Sequence, residues 1–277
     1  MKKILLIVAA VVLLAACGKE GDSGVSRVKI HFSPYEMVPM KTLEGVGSVC
    51  SRLDVWIIDT ATADTLLLHQ ERTATTGFGT ATAVLQTNRG YRLIAVAHNT
   101  TDTCTLSGGI VSFAGDVVKQ TLVADTLFSP GDGLSLEVVM QRVVGMFKLR
   151  VADDIPTEVA YFRFVVDSAY NHWDVESATG HELARRTHTI TGMSRGTDGY
   201  VTFNVFVIPD NLTGVRTVDI TVSAMDGTDG EVETRQFAGV PIKAGYVTRY
   251  TGTFFITFDM GFSFEVGEWG SLGEYSF

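Results

Sequence analysis

The sequence predicts an all-β protein made of antiparallel β-sandwiches, and two observations carry this prediction. Apolar and polar residues alternate with a period of two in short runs along most of the chain, which is the pattern of strands with one buried face. Gly, Asp and Asn turn signals separate these runs at short intervals, whereas parallel strands need long crossover connections. No segment keeps a helical period beyond about two turns, so we expect helices to contribute little.

The predicted strands follow one another through the body of the chain. Val, Ile, Phe and Thr fill them, and these residues suit a pleated, half-buried surface. The strands are predicted at 28–32, 53–58, 91–96, 134–138, 147–151, 161–166, 200–206 and 218–222. Turns are predicted between them at 88–90, 107–109, 130–133, 197–199 and 226–227.

The N-terminus has the layout of a bacterial secretory signal. Two lysines precede an apolar run over 4–14, which ends in Ala15-Ala16-Cys17, the order of charge, apolar core and small residues found in such peptides. The run is too short to cross a bilayer, since a spanning helix needs about 20 apolar residues. Small residues directly before a cysteine resemble the lipobox of bacterial lipoproteins. Cys17 is therefore the expected lipidation site, and an ordinary secretory signal is the alternative.

The chain divides into four expected segments. Residues 1–16 are the signal peptide, 17–24 a short tether, 25–141 an N-terminal β-sandwich domain and 142–277 a C-terminal β-sandwich domain. Each of the two domains then has a common domain size. Neither a Pro-rich nor a Ser-rich linker separates them, so we expect the two halves to pack against each other.

Composition and charge restrict the partners. A hydrophobic content of 45% argues against disorder. The net charge of -9 argues against nucleic acid or an anionic membrane surface as a partner, because both attract basic patches. After the signal peptide, no apolar stretch is long enough to span a membrane, so we expect the body of the protein to be soluble.

Lipidation of Cys17 leaves two further cysteines, Cys50 and Cys104. An oxidising envelope permits a disulfide between them. Two separate buried thiols that behave as small apolar side chains are the alternative. The sequence does not decide, because a bridge needs the two Cα atoms within about 7 Å.

Three short patterns suggest chemistry but fail on their context. The Gly-x-Ser-x-Gly pattern at Ser194 precedes a turn and a strand, whereas a nucleophile elbow needs a helix there. His181 and His188 lie seven positions apart, whereas a zincin helix places its two histidines at i and i+4. The loop 226–230 does not meet the pattern of a calcium loop, which needs oxygen ligands at alternate positions and a closing glutamate about six residues beyond the glycine. We therefore expect no catalytic, cofactor-binding or metal-binding residue and no enzyme.

Several stretches resemble strands of the FimB/Mfa-type fimbrial subunit lipoproteins of Bacteroidetes. They are CSRLDVWIID at 50–59, GYRLIAVAHN at 90–99, QRVVGMFKL at 141–149, YVTRYTGTFF at 246–255 and the closing EWG at 268–270. The resemblance runs from about residue 26 to the end of the chain. These patterns are structural, so they indicate a family better than a role within it.

The resemblance implies two tandem transthyretin-like β-sandwich domains and other fimbrial subunits as partners. Such subunits join when a strand of one completes a sheet of another. Stalk subunits lose their first strand by cleavage at Arg or Lys, whereas anchor subunits keep that strand and their lipid. Here 25–35 would be the first strand, and the following loop holds Lys41 but no Arg before Arg52. This favours the anchor of an adhesive fimbria at the cell outer membrane, with processing at Lys41 as the alternative.

Two further expectations come with the resemblance. The aromatic segments 254–258 and 262–266 are either closing strands of the second domain or segments exchanged between subunits. Bacteroidetes O-glycosylate exported proteins at Asp followed by Ser or Thr and then a small or aliphatic residue. Four positions fit that pattern: Thr60, Thr65, Thr126 and Ser168.

Two rival functions stay open at this point. The chain could be a stand-alone surface lipoprotein that binds a glycan or a host protein, which an exposed aromatic cluster on a sheet face or loop tip would support. It could also be a stalk or tip adhesin, which a mature N-terminus after Lys41 would indicate.

Overall fold

The structure is a computed structural model that describes residues 24–35, 45–100, 103–113, 115, 117–118, 120–255 and 262–268. Within these ranges the chain is mostly β-strand, with one short 3-10 helix at Val46–Ser48. The prediction of an all-β protein is confirmed. No helix in these ranges is long and apolar enough to cross a bilayer.

The strands are numbered in chain order. The first half contains β1 (Val25–Pro34), β2 (Arg52–Asp59), β3 (Thr65–Glu71), β4 (Thr80–Gln86), β5 (Tyr91–His98), β6 (Cys104–Ser107), β7 (Ile110–Phe113), β8 (Thr121–Phe128) and β9 (Ser135–Arg142). The second half contains β10 (Gly145–Val151), β11 (Tyr161–Asp174), β12 (Thr179–Ile190), β13 (Val201–Val207), β14 (Arg216–Met225), β15 (Glu231–Ile242), β16 (Tyr246–Gly252) and β17 (Ser263–Glu268).

Seven strands of the first half form one sheet that folds over into two layers. The strand order is β3-β2-β5-β8-β9-β1-β4, and β8 meets β9 through only the pairs Leu122↔Arg142 and Val123↔Gln141. This short pairing makes a corner. Side chains of β1 such as Ile30 pack in one apolar cluster with side chains of β2 such as Leu53. The layers β3-β2-β5-β8 and β4-β1-β9 therefore face each other as a β-sandwich.

The second half repeats this strand order around its own core. β10 lies between antiparallel β13 and parallel β16, just as β1 lies between antiparallel β4 and parallel β9. β11 lies between β12 and β14, and β15 pairs with β14, which matches the order β3-β2-β5-β8. β17 follows the seventh strand of this repeat and has no counterpart among the described strands of the first half.

Phenylalanine side chains dominate the core of the second sandwich. Phe147, Phe162, Phe164 and Phe254 are fully buried, and the rings of Phe162 and Phe203 lie 4.4 Å apart between centroids. Each buried aromatic side chain removes a large apolar area from water. All the described residues of this core cluster belong to the second half of the chain.

The β6–β7 hairpin lies in the first half of the chain but joins a sheet of the second half. β7 pairs with the end of β11, where Val111 lies opposite Trp173, and β6 pairs with β7. The predicted boundary at 141/142 otherwise separates the strands of the two sandwiches, although β9 extends to Arg142. The division into two independently folding domains stays a prediction.

A third apolar cluster fills the space between the two halves. It joins Trp56, Ile94 and Val96 of the first half to Trp173 and Ile208 of the second. These side chains of β2 and β5 lie on the sheet face opposite to the first core, so both faces of that sheet are covered. The two halves pack tightly, as the lack of a linker predicted.

Candidate functional site

Strand β1 is the inner strand of its layer, paired on both sides. Its ladder with β4 runs from Val25↔Gln86 to His31↔Thr80, and its ladder with β9 runs from Lys29↔Ser135 to Pro34↔Met140. The side chains alternate as the sequence predicted, with Val28, Ile30 and Phe32 buried and Arg27 and Lys29 exposed. The backbone of β1 therefore forms hydrogen bonds with two neighbouring strands, and its inward side chains pack in one apolar core.

Both ends of β1 are also held. The Ser26 hydroxyl donates a hydrogen bond to the Gly131 carbonyl at 2.6 Å, and the Tyr35 backbone N–H donates to the Met140 carbonyl at 2.7 Å. A sheet that lost this strand would present two unpaired edges and an apolar groove, which is a template for another strand. The predicted processing residue Lys41 and the predicted lipidation residue Cys17 lie outside the described residues.

Strand β17 has the opposite character, because it is an exposed strand at the edge of its sheet. Among the described strands it pairs with β16 alone, in the order β13-β10-β16-β17. Phe264 and Val266 are 58% and 48% exposed. Phe264 stacks on Tyr250 with ring centroids 5.4 Å apart, and Glu265 forms an ion pair with Arg249. This strand is held by one ladder and a few surface contacts.

The four predicted glycosylation residues lie at or near the surface. Thr60 and Thr65 are exposed, and Thr126 and Ser168 are partly exposed. Thr60 lies in the turn after β2, Thr65 and Thr126 lie on strands, and Ser168 lies at a bulge in β11. Their exposure is compatible with modification, which stays a prediction.

The two cysteines of the body are free thiols in the structure, so the suggested disulfide is not formed. Both are buried. Cys50 belongs to the core of the first sandwich, whereas Cys104 belongs to the cluster between the halves. Burial raises the pKa of each thiol to about 12. The arrangement is the alternative of two separate buried thiols.

Cys104 lies beside two buried polar side chains that the sequence analysis did not single out. The ligand atoms of Asp54, His98 and Cys104 all lie within 4.8 Å of one another. Asp54 lies on β2, His98 ends β5 and Cys104 begins β6. One feature of the sequence indicates that this cluster is buried. Asp54 and His98 lie on the same sheet face as Trp56, and so large an apolar side chain indicates that another part of the protein packs on that face.

Hydrogen bonds and charge hold Asp54 in its ionised form. Its Oδ1 lies 2.7 Å from His69 Nδ1, and its Oδ2 accepts a hydrogen bond from Arg52 Nε at 3.3 Å. Burial alone would raise the pKa of this carboxyl, but the neighbouring His98, His69 and Arg52 outweigh burial and hold the pKa below its usual value. A buried carboxylate therefore faces His98 and Cys104.

The patterns that the sequence analysis rejected are ordinary surface features. Ser194 is exposed in the connection between β12 and β13, and no helix follows it. His181 lies opposite His172 on β11, whereas His188 lies opposite Phe164. The Asp226 carboxylate accepts backbone hydrogen bonds within its own turn, so it closes the β14–β15 hairpin.

A scan against protein-family models and a search of curated proteins found no match to this chain. Solved structures do match it. A proposed cell adhesion protein from Bacteroides ovatus aligns with a TM-score of 0.54 at 14% identity, over 88% of this chain and 98% of that one. A structure described as proposed polysaccharide-binding proteins from Bacteroides thetaiotaomicron aligns with a TM-score of 0.53 at 9% identity, over 90% and 100%.

The fimbrial anchor protein Mfa2 from Porphyromonas gingivalis aligns with a TM-score of 0.46 at 10% identity, over 88% of this chain and 98% of that one. The chain shares its fold with the two Bacteroides proteins along nearly its whole length.

Proposed function

We propose that this protein is a cell-surface lipoprotein that serves as a fimbrial subunit, as the anchor of an adhesive filament. A lipid on Cys17 would hold it in the outer membrane. Three things support the proposal: the lipobox-like signal peptide, the strand patterns that resemble fimbrial subunit lipoproteins, and a fold shared with a proposed cell adhesion protein.

The observation that carries the proposal is the place of β1 in its sheet. β1 is the N-terminal strand, yet it lies between β4 and β9 with its apolar face buried. A terminal strand in an inner position can be supplied by the same chain or by another one, because the hydrogen-bond ladders and side-chain pockets are the same in both cases. An anchor keeps its own β1 and so leaves this groove closed.

A second surface is then needed for attachment of the filament. β17 supplies an unpaired sheet edge among the described strands, and it is held by one ladder and a few surface contacts. A strand from the next subunit could add to this edge, or replace β17 beside β16. Either route joins subunits by backbone hydrogen bonds without a catalytic residue.

The test is an immunoblot of outer-membrane and sheared surface fractions, with detergent samples left unheated or boiled. We expect a ladder that collapses to one lipidated band on boiling, because assemblies completed by strand addition resist detergent at low temperature. The Cys17→Ser variant is the matched control and should leave the membrane fraction. A single monomer band in both lanes would contradict assembly.

The anchor role is separable from the stalk role. Lys41→Ala should leave the apparent mass of the mature protein unchanged if the protein is an anchor, since β1 is then retained. A mature N-terminus directly after Lys41 in the native protein, lost in the variant, would favour the stalk role instead.

A solitary binding module is the second candidate, because one protein of the same fold is proposed to bind polysaccharide. Its discriminating feature was an exposed aromatic cluster. The described tryptophans Trp56 and Trp173 are 8% and 2% exposed, so neither can stack on a sugar. Glycan-array binding by the purified chain, together with a monomer band in the immunoblot, would favour this role.

A further inference from the structure

One ring nitrogen of the buried His98 has no hydrogen-bond partner. His98 is 2% exposed, and the nitrogen without a partner is Nε2. The nearest carboxylate oxygen, Asp54 Oδ2, lies 3.8 Å away, which is too far for a hydrogen bond. A buried polar atom without a partner costs free energy, so something that fills this gap would stabilise the fold.

The other ring nitrogen of His98 shows which proton arrangement is available. Nδ1 lies 2.8 Å from the Thr100 hydroxyl and 3.2 Å from the Thr100 backbone N–H. The Thr100 backbone N–H donates to Nδ1, so Nδ1 is an acceptor and the ring proton lies on Nε2. A metal ion at Nε2 requires that proton to move to Nδ1, where the Thr100 hydroxyl accepts it and the hydrogen bond from the backbone N–H is lost. The lone pair of Nε2 is then directed toward Asp54 and Cys104. A hydrogen-bonded second nitrogen is the usual arrangement of a histidine that binds a metal.

The three facing atoms form a donor set that suits a borderline-soft cation. A carboxylate oxygen, an imidazole nitrogen and a thiolate sulfur are the ligand types of Zn²⁺. Bond lengths of about 2.0–2.3 Å in a tetrahedral site put ligand atoms about 3.3–3.8 Å apart. An oxygen and a nitrogen ligand belong at the short end of this range, so the Asp54–His98 separation of 3.8 Å has to shorten slightly. The other separations are within 4.8 Å, so an inward shift of the three side chains completes the site.

The charges around the cluster select among cations. The Arg52 guanidinium contacts Asp54 Oδ2 and lies 3.7 Å from Glu71, and His69 contacts Asp54 Oδ1. Arg52 opposes any cation, so binding must come from strong bonds to nitrogen and sulfur and not from charge alone. Ca²⁺ and Mg²⁺ require mainly oxygen ligands, and this cluster offers too few.

We propose that Asp54, His98 and Cys104 bind one divalent transition-metal ion of the zinc type. Binding replaces the thiol proton of Cys104, which leaves to solvent, and forms one bond each to sulfur, nitrogen and oxygen, with water in the fourth position. No electron is transferred. The ion fastens β2 and β5 of the first sandwich to β6, and β6 is joined through β7 to β11 of the second. The bound ion therefore links the two halves of the protein.

Cobalt is the probe for this site, because a thiolate bound to Co²⁺ gives a near-ultraviolet charge-transfer absorption. The full chain is titrated in a Cys17→Ser background, so that Cys50 and Cys104 are its only thiols. We expect one equivalent of Co²⁺ to produce this band and one equivalent of Zn²⁺ to remove it. Cys50→Ser is the matched control, since that thiol is also buried but lies in another cluster, and it should keep the band.

Cys104→Ser should abolish the band, and His98→Asn should weaken binding by at least about tenfold. If a variant does not fold, the parent chain still gives a test, because Zn²⁺ should raise its unfolding midpoint relative to a chelator. The proposal is wrong if no band and no zinc binding appear, which would mean that the gap holds only water. It is equally wrong if the Cys104→Ser variant keeps the band or if the Cys50→Ser variant loses it.

Discussion

Asp59 illustrates, at the scale of single residues, how a buried carboxylate fixes a turn. Its Oδ2 accepts a hydrogen bond from Arg89 at 2.6 Å, and its Oδ1 accepts from the backbone N–H groups of Ala61 and Thr62. These bonds, led by the one from Arg89, lower the pKa of Asp59. The same turn presents the predicted glycosylation residue Thr60 to solvent.

The lowered pKa predicts how the stability of this turn depends on pH. A carboxyl whose pKa is lower in the folded chain than in the unfolded chain stabilises the fold above its unfolded pKa of about 3.9. That stabilisation is lost as the pH falls through the folded pKa. Asp59→Asn should therefore lower the unfolding free energy at neutral pH, and the difference from the parent chain should shrink on acidification.

Urea unfolding at pH 7 and at about pH 3 measures this difference. Asp132→Asn is the matched control, because Asp132 is an exposed loop carboxylate, and it should change stability little at either pH. A loss of equal size at both pH values for Asp59→Asn would show that the side chain acts without its charge.

At the scale of single elements, β1 and β17 are two terminal strands held in different ways. β1 has neighbours on both sides and a fully buried apolar face, whereas β17 has one neighbour and exposed side chains on both faces. Burial of an aliphatic side chain contributes about 1.5–3 kcal/mol. We therefore expect the first sandwich to require β1 for folding and the second sandwich to tolerate the loss of β17.

The requirement for β1 can be tested by complementation in trans. A chain that begins at residue 45 should bind a synthetic peptide of residues 24–35, because the two ladders and the pockets for Val28, Ile30 and Phe32 are then refilled. The substitution Ile30→Asn in this peptide buries an amide in place of an aliphatic side chain, at a cost of roughly 2 kcal/mol or more. Fluorescence titration should show at least about 30-fold weaker binding for that peptide.

The matched control peptide carries Lys29→Asn, which makes the same residue at an exposed position of the same strand. It should bind within about threefold of the parent peptide. If both substituted peptides bind alike, the groove between β4 and β9 does not distinguish buried from exposed positions of β1. Strand addition in this groove would then be excluded.

The weak attachment of β17 predicts rapid local opening. Backbone amides of β17 should exchange with solvent at least about tenfold faster than those of β10, which lies two strands inward in the same sheet. Hydrogen exchange measured by mass spectrometry on peptides of the folded chain tests this. Equal protection of the two strands would mean that β17 is a fixed part of the second sandwich.

At the scale of the whole molecule, the two sandwiches share one apolar contact. Trp173 is 2% exposed and packs with Trp56 and Val96 across the boundary. The β6–β7 hairpin crosses the boundary as well, so chain connectivity and packing act together. The two halves should therefore unfold in one transition.

Trp173→Ala tests this coupling, because it removes a large side chain from the cluster between the halves. The unfolding free energy should fall by about 3–5 kcal/mol, and calorimetry should resolve two transitions. Phe162→Ala is the control: it makes a cavity inside the second sandwich, should cost a similar amount and should leave one transition. Two transitions already in the parent chain would contradict the coupling.

The alternating sequence by itself predicted eight of the described strands, and it did so because strand periodicity is local. Val28, Ile30 and Phe32 point inward in β1, as predicted, since side chains alternate across a pleated strand whatever lies beyond it. The turns at 88–90, 197–199 and 226–227 were predicted for the same reason, from Gly, Asn and Asp within a few residues. β12 is one of the strands that alternation did not predict. Its side chains are mostly exposed or half-buried, so burial imposes little pattern on it.

Only the tertiary structure decided which faces meet. Asp54 and His98 sit at polar positions of alternating strands, and alternation alone would turn them to solvent. They are buried because the second half packs on that face of the first sheet. The same packing brings Cys104, 50 positions along the chain from Asp54, into their reach. Contacts between residues so far apart in the sequence depend on how whole sheets pack against each other. A local sequence pattern does not contain that information.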